Sequence, residues 1–111
     1  MDVIVTGGRN YNDFAKVADV LDAMKVTRLI QGGATGADAL AREWAQAMKV
    51  ECITVNADWE RHGRAAGPIR NEEMIIQYPD AIVVAFPGGS GTKSCVKIAR
   101  DYNLVILCVQ P

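Results

Sequence analysis

The segment Phe86-Pro87-Gly88-Gly89-Ser90-Gly91-Thr92-Lys93-Ser94 has the residue types of a phosphate cradle: glycines, a lysine and hydroxyls, directly after an apolar run. Glycines let a backbone approach an anion closely, and the N–H groups that open a helix can hold it. It is not a Walker loop, which needs glycine, lysine and a hydroxyl residue in succession; here Thr92 separates Gly91 from Lys93. Two further double glycines, Gly7-Gly8 and Gly32-Gly33, follow short apolar runs in the same way. Three such pairs at one sheet edge would aim three helix N-termini at a ligand, each worth about 0.3–1 kcal/mol toward an anion. The competing reading is a set of tight turns between strands and helices. Neither TGGRNYND nor GGATGAD matches G-x-G-x-x-G, so an ordinary NAD-linked dehydrogenase is disfavoured.

The second chemically rich segment is NADWERHGRAAGPIRNEEM, with Asp58, Trp59, Glu60, Arg61, His62 and Arg64 ahead of Arg70. Arginine grips phosphate with two parallel hydrogen bonds. Trp59 fits either stacking on a base or capping the core edge. Asp58 and Glu60 fit orienting a ribose hydroxyl, acid–base work, or simply balancing the arginines. His62, the only histidine, reads as a solvated loop residue. The residues from Asn56 to Gly67 read as a long connection without structure, and such loops are often functional.

These segments need a scaffold, and the hydrophobic pattern supplies one. Val3-Ile4-Val5 and residues 28–31, 52–55, 81–85 and 104–109 read as short strands. Between them, residues 13–24, 35–48, 68–77 and 90–102 space their apolar positions as helices do. Asn12 or Asp13 is placed to cap the first helix, and Pro68 suits a first helical turn. Strands without polar alternation are buried on both faces, as in parallel sheets. The fold class is therefore α/β: a three-layer, doubly wound sandwich of about five mostly parallel strands with helices on both faces. Ligands of such sheets bind at the carboxyl ends of the strands, where the glycine pairs fall.

Composition narrows the function. The 111 residues fit one compact domain, 1–111, and half of them are hydrophobic. A formal net charge of −1 argues against a dedicated nucleic-acid binder, which needs a basic excess to neutralise phosphates. Cys52, Cys95 and Cys108 are odd in number and far apart, which suggests thiols in a reducing cytoplasm rather than a disulfide or metal framework. Neither a signal peptide nor a membrane span is expected. No residue set suggests a metal site; the only metal left open is magnesium accompanying a phosphate ligand. Ile69, Met74, Ile75, Ile76 and Tyr78 are apolar on more than one helix face, which points to a homodimer.

The pieces VTGGRNYND, IQGGATGADALAREWA, NADWERHGRAAGPIRNEEM and VVAFPGGSGTKSCVKIAR occur in this order over nearly the whole chain. Together they resemble the YspA-type, YpsA-related branch of the SLOG superfamily, named for the Smf/DprA and LOG groups. The resemblance implies a Rossmann-like sheet that binds a nucleotide or nucleotide-derived ligand, as a sensor or sequestering module, and a phage or prophage origin. The ligand-binding set it implies is Gly7, Gly8, Arg9, Gly32, Gly33, Thr35, Gly36, Asp38, Asp58, Trp59, Arg70, Asn71, Pro87, Gly88, Gly89, Ser90, Gly91 and Thr92.

The more distantly similar LOG enzymes cleave the N-glycosidic bond of nucleoside 5′-monophosphates. Pro87, Gly88, Gly89, Gly91 and Thr92 match their P-G-G-x-G-T-x-x-E signature, and Arg70 and Met74 match their R-K-x-x-M, with Asn71 in place of lysine. The resemblance thus carries the catalytic arginine to Arg70. The catalytic glutamate does not carry over, because Cys95 stands there. Glycosidic cleavage passes through an oxocarbenium-like state that a carboxylate stabilises, and a thiol is a poor substitute. Cys95 shares an apolar stripe with Ala99 and Tyr102 and reads as a packed core residue; a nucleophilic role lacks a visible partner. Asp38, Asp58, Glu60, Glu72 and Glu73 remain candidates for the missing carboxylate. A single-stranded DNA binder, by analogy with DprA, is the least supported reading.

Overall fold

The computed structural model describes residues 1–111. Five strands, β1 (Asp2–Thr6), β2 (Arg28–Gln31), β3 (Glu51–Thr54), β4 (Ile82–Ala85) and β5 (Ile106–Cys108), form one sheet in the order β3-β2-β1-β4-β5, every pair parallel. Helices α1 (Phe14–Asp22), α2 (Ala37–Met48), α4 (Ala66–Gln77) and α5 (Ser90–Asp101) connect them. A four-residue helix α3 (Trp59–His62) and a 3-10 turn (Gly63–Ala65) lead into α4.

Alternation along β1 divides the core into two layers. Val3 and Val5 face α1 and α2, packing with Val17, Leu21, Ala41 and Trp44. Ile4 faces the other way and packs with Met74 and Ile75 of α4 and Cys95 and Ala99 of α5. Because these β1 side chains are at most 1% exposed on either face, a continuous apolar run was the right signature for a central parallel strand. The result is a Rossmann-like three-layer sandwich. After β3 the chain crosses to the other side of β1, so the loops following β1 and β4 diverge to opposite faces, leaving a crevice between them.

Local signals set the helix boundaries. Asp13 caps α1, its Oδ1 accepting from the Lys16 N–H at 3.0 Å. On α2 the buried residues Ala37, Ala41, Trp44 and Ala45 make one stripe, and the Trp44 indole N–H donates to Asp22 of α1 at 2.9 Å. On α5 the stripe is Thr92, Cys95 and Ala99.

Three expectations change. The connection at 56–67 is not structureless: the Asp58 carboxylate accepts from the Arg61 N–H at 3.1 Å and caps α3, the 3-10 turn follows, and α4 begins at Ala66. The last strand contracts to three residues at the sheet edge. Ile106 packs against the α4–α5 layer, while Val105 (67% exposed) and Leu107 (43%) join neither core cluster, because β5 has one strand neighbour and one covered face. The apolar cluster on α4 is also mostly explained by the core. Met74 and Ile75 are buried in it, leaving Ile76 as the member that is clearly exposed.

Gly36 has a backbone φ of 74°, and a Cβ there would collide with the Gly8 carbonyl oxygen. Gly36→Ala should therefore cost about 2–4 kcal/mol in urea unfolding, from left-handed strain plus displacement of the Gly8 loop. Gly91→Ala, where an added carbon meets open space, should change stability by less than about 1 kcal/mol.

Candidate functional site

The carboxyl ends of the strands enclose a cleft of about 510 Å³. Its walls come from four places: Thr6 to Arg9 after β1, Ala34 and Asp38 around the start of α2, Trp59 to Asn71 across α3 and α4, and Gly89 to Ser94 at the start of α5.

The loops after β1 and β4 lie backbone against backbone. The Gly8 N–H donates to the Pro87 carbonyl at 2.9 Å, and a Cβ on Gly88 would stand 2.6 Å from the Gly8 nitrogen. The Gly8 carbonyl in turn accepts from the Ala37 N–H at 3.1 Å. Several glycines therefore serve contact between loops rather than contact with a ligand. Gly89 and Gly91, by contrast, have open space where a Cβ would be.

Of the three helix N-termini expected to converge, those of α2 and α5 border the cleft, and α5 keeps all of its first three amides free. The α1 terminus is closed by Asp13 and lies off the cleft, and the first N–H of α2 is taken by Gly8. The α5 N-cap is Gly89, which has no side chain to satisfy the Ser90, Gly91 and Thr92 amides. These amides have no carbonyl one turn back within the helix, so they are available to an anion.

Arg70 sits across the cleft floor. Its Nη1 donates to the Gly32 carbonyl at 2.6 Å and to the Val55 carbonyl at 3.4 Å, and its Nε donates to Asn71 Oδ1 at 2.9 Å. Nη2 has no protein partner. Asn71, 4% exposed, passes the connection on through Nδ2 to the Gly91 carbonyl at 3.4 Å. On the far side, Asp38 Oδ2 accepts from the Gly32 and Ala34 N–H groups, each at 3.2 Å. Burial pushes the Asp38 carboxyl above the ordinary range, against the opposing pull of those amides and of Arg70 and Arg42.

Asp38 is the only carboxylate on the cleft wall. Of the other four candidates, Asp58 is spent capping α3, and Glu60, Glu72 and Glu73 are exposed outside the cleft. Cys95 does not reach the cleft either. It is fully buried, its thiol pushed up to about 11 by desolvation, against the opposing influence of Thr6 and Arg70. At the rim, Trp59 is 51% exposed, with the Arg9 guanidinium 5.9 Å from its ring centroid.

The expected set thus divides. Gly7, Gly8, Arg9, Asp38, Trp59, Arg70, Asn71, Gly89, Ser90, Gly91 and Thr92 line the cleft. Gly32, Gly33, Thr35, Gly36, Asp58, Pro87 and Gly88 do not; they shape its loops. Gly32 braces Arg70 and Asp38, the Gly33 N–H donates to Gln31 Oε1, and Thr35 Oγ1 donates to the Arg9 carbonyl. Thr6, Ala34, Arg64, Gly67, Pro68 and Ser94 are additional wall residues. Ser94 was legible, one helical turn after Ser90. Gln31, fully buried and joined through Nε2 to Thr54 Oγ1 at 2.6 Å, gave no signal because its partner lies on the next strand.

A doubly wound parallel sheet with an open helix N-terminus at its strand-order reversal defines the class: a Rossmann-like α/β protein with a cleft at the usual ligand position. Residues 1–62 match the YspA, cpYpsA-related SLOG family, and the chain belongs to it. It is also similar to the Gene 61 protein of Mycobacterium phage D29, at 36% identity over 118 residues, covering 95% of this chain and 93% of the phage protein.

Cys95 makes stability depend on pH in a known direction. Below pH 9 the thiol is protonated in both folded and unfolded chains. Between pH 9 and 11 the unfolded chain gives up the proton while the folded chain keeps it, so the stability associated with Cys95 is lost as pH rises. Two pH units correspond to about 2–3 kcal/mol. Urea unfolding of the native protein should fall more steeply over this window than that of Cys95→Ala; parallel curves would contradict the buried thiol.

Proposed function

We propose that this protein binds a nucleotide or nucleotide-derived ligand in the cleft, as a sensor or sequestering module. The observation that carries this reading is the uncapped α5 N-terminus inside a cleft that also holds Arg9, Arg64, Arg70 and the half-exposed Trp59. The phosphate sits on the Ser90–Thr92 amides beside Arg70 Nη2, and the base rests against Trp59. Membership of the SLOG family supports a nucleotide-related ligand. Similarity to a mycobacteriophage protein supports a phage or prophage origin.

Magnitudes show why several groups are needed. A helix N-terminus supplies at most about 2 kcal/mol, whereas micromolar affinity requires about 8 kcal/mol. Charged hydrogen bonds from arginine add about 1.5–3 kcal/mol each, and base stacking on an aromatic ring about 1–3 kcal/mol.

Calorimetry against nucleoside mono- and diphosphates, ADP-ribose and cyclic nucleotides tests the proposal; binding to none of them overturns it. Within that panel, Ser90→Pro removes an amide at the first helical position, where proline is tolerated, and Ser90→Ala keeps it. Ser90→Pro should weaken binding about fivefold more than Ser90→Ala at similar melting temperature. Trp59→Ala should weaken it about 10- to 100-fold.

A second reading, hydrolysis of nucleoside 5′-monophosphates at the N-glycosidic bond, is favoured by one observation: the single cleft carboxylate, Asp38, shares Gly32 with Arg70. Incubation with monophosphates and chromatography for free base tests it. Release that survives Arg70→Ala would remove Arg70 from the catalytic role. The proposal extends to a homodimer, supported by the exposed apolar residues Ile76, Tyr102, Val105 and Leu107. Sedimentation showing only monomer at micromolar concentration would overturn it.

A further inference from the structure

Asp38 is 6% exposed and uses only one of its two carboxylate oxygens within the protein. Oδ2 accepts both the Gly32 and the Ala34 N–H groups, which fixes the orientation of the carboxylate. Oδ1 accepts nothing from the protein. Yet no buried side-chain nitrogen or oxygen in the molecule lacks a partner, so Oδ1 is not sealed in the core; it opens onto the cleft whose wall Asp38 forms. A carboxylate held this deep carries a desolvation cost that a merely loop-closing residue would avoid.

The neighbours narrow what Oδ1 accepts. Arg9, Arg64 and Arg70 share the cleft, so a cationic ligand is excluded by repulsion. A phosphate is repelled by Asp38 itself and is drawn instead to the α5 amides. A base stacked on Trp59 lies at the rim, because that side chain is 51% exposed, while Asp38 lies deep. The ligand group left between rim and α5 is a neutral hydrogen-bond donor, and in a nucleotide that group is the sugar hydroxyl. The separation between Oδ1 and α5 is held by hydrogen bonds through Gly32, Arg70, Asn71 and Gly91.

We propose that Asp38 Oδ1 accepts a hydrogen bond from a ribose hydroxyl of the bound ligand and makes the cleft selective for ribonucleotide over deoxyribonucleotide ligands. This rests on the nucleotide-binding reading above. A site that accepts from a hydroxyl discriminates against the analogue lacking it, because the carboxylate is then desolvated without a partner.

The test is calorimetry with ADP and GDP against their 2′-deoxy and 3′-deoxy forms, using the native protein and Asp38→Asn. Asparagine retains an oxygen for the Gly32 and Ala34 amides and presents an NH2 group to the cleft in place of an acceptor. The native protein should prefer the ribonucleotide over at least one deoxy form by about tenfold or more. Asp38→Asn should fold, as read by circular dichroism, and should reduce that preference to within about twofold. Asp38→Ala, checked in the same way, should lose the preference as well. Equal affinity for ribo and deoxy forms in the native protein, or a preference that persists in Asp38→Asn, overturns the inference while leaving nucleotide binding intact. Binding of no nucleotide in either sugar form overturns the nucleotide reading and this inference with it.

Discussion

A single run of hydrogen bonds crosses the floor of the cleft and holds its walls in register. It passes from the Asp38 carboxylate to the Gly32 N–H, from the Gly32 carbonyl to Arg70, from Arg70 to Asn71, and from Asn71 to the Gly91 carbonyl. It joins α2, the end of β2, α4 and α5, elements that belong to both faces of the sheet. Asp38 and Asn71 are nearly buried, where unpaired polar groups are costly. Each link therefore makes its neighbour tolerable, and the loops around them have little freedom to move independently.

This constraint explains how so small a chain maintains an open cleft. The crevice arises from topology, since α1 and α5 leave adjacent strands toward opposite layers. Backbone contact between the Gly8 and Pro87-Gly88 loops then closes its base. The polar groups left open are the α5 amides, Arg70 Nη2 and Asp38 Oδ1. Beneath them the chemistry ends abruptly. Thr6 lines the cleft, but Cys95 already belongs to the apolar layer with Ile4, Ile30 and Met74, protonated and inaccessible. The position at which LOG-type sequences carry glutamate is in this chain part of the core, and the carboxylate available to a ligand comes instead from α2.

Much of this was written in local sequence. Uninterrupted apolar runs mark β1 and β4 because a central parallel strand is covered on both faces. Helical spacing places α1, α2 and α5, since the stripe that packs on the sheet must recur with the helix period. Asp13 announces its helix because capping involves residues three apart in the chain. Asp58 carried the same signal for α3, but the charged residues around it obscured a helix that buries no side chain. The same limit applies to β5, where Val105 and Leu107 read as core and lie exposed, because apolar type does not reveal which strand will have a neighbour on one side only.

The sequence by itself determined the element types, their order, the layered α/β class and most of the residues that meet at the strand ends, because these depend on short-range spacing and on the rule that places parallel-sheet loops at one edge. Tertiary structure decided which of them remain free to act. Three glycine pairs were equally plausible as ligand loops in sequence; the fold sets the α5 terminus on the cleft with its first three amides free, whereas the Gly8 carbonyl takes the first amide of α2. Five carboxylates were equally plausible, and only Asp38 reaches the cleft. Such choices depend on partners 20 to 38 residues apart in the chain, such as Asn71 with Gly91 and Arg70 with Gly32, and spacing along a chain does not encode which distant backbone group a side chain will meet.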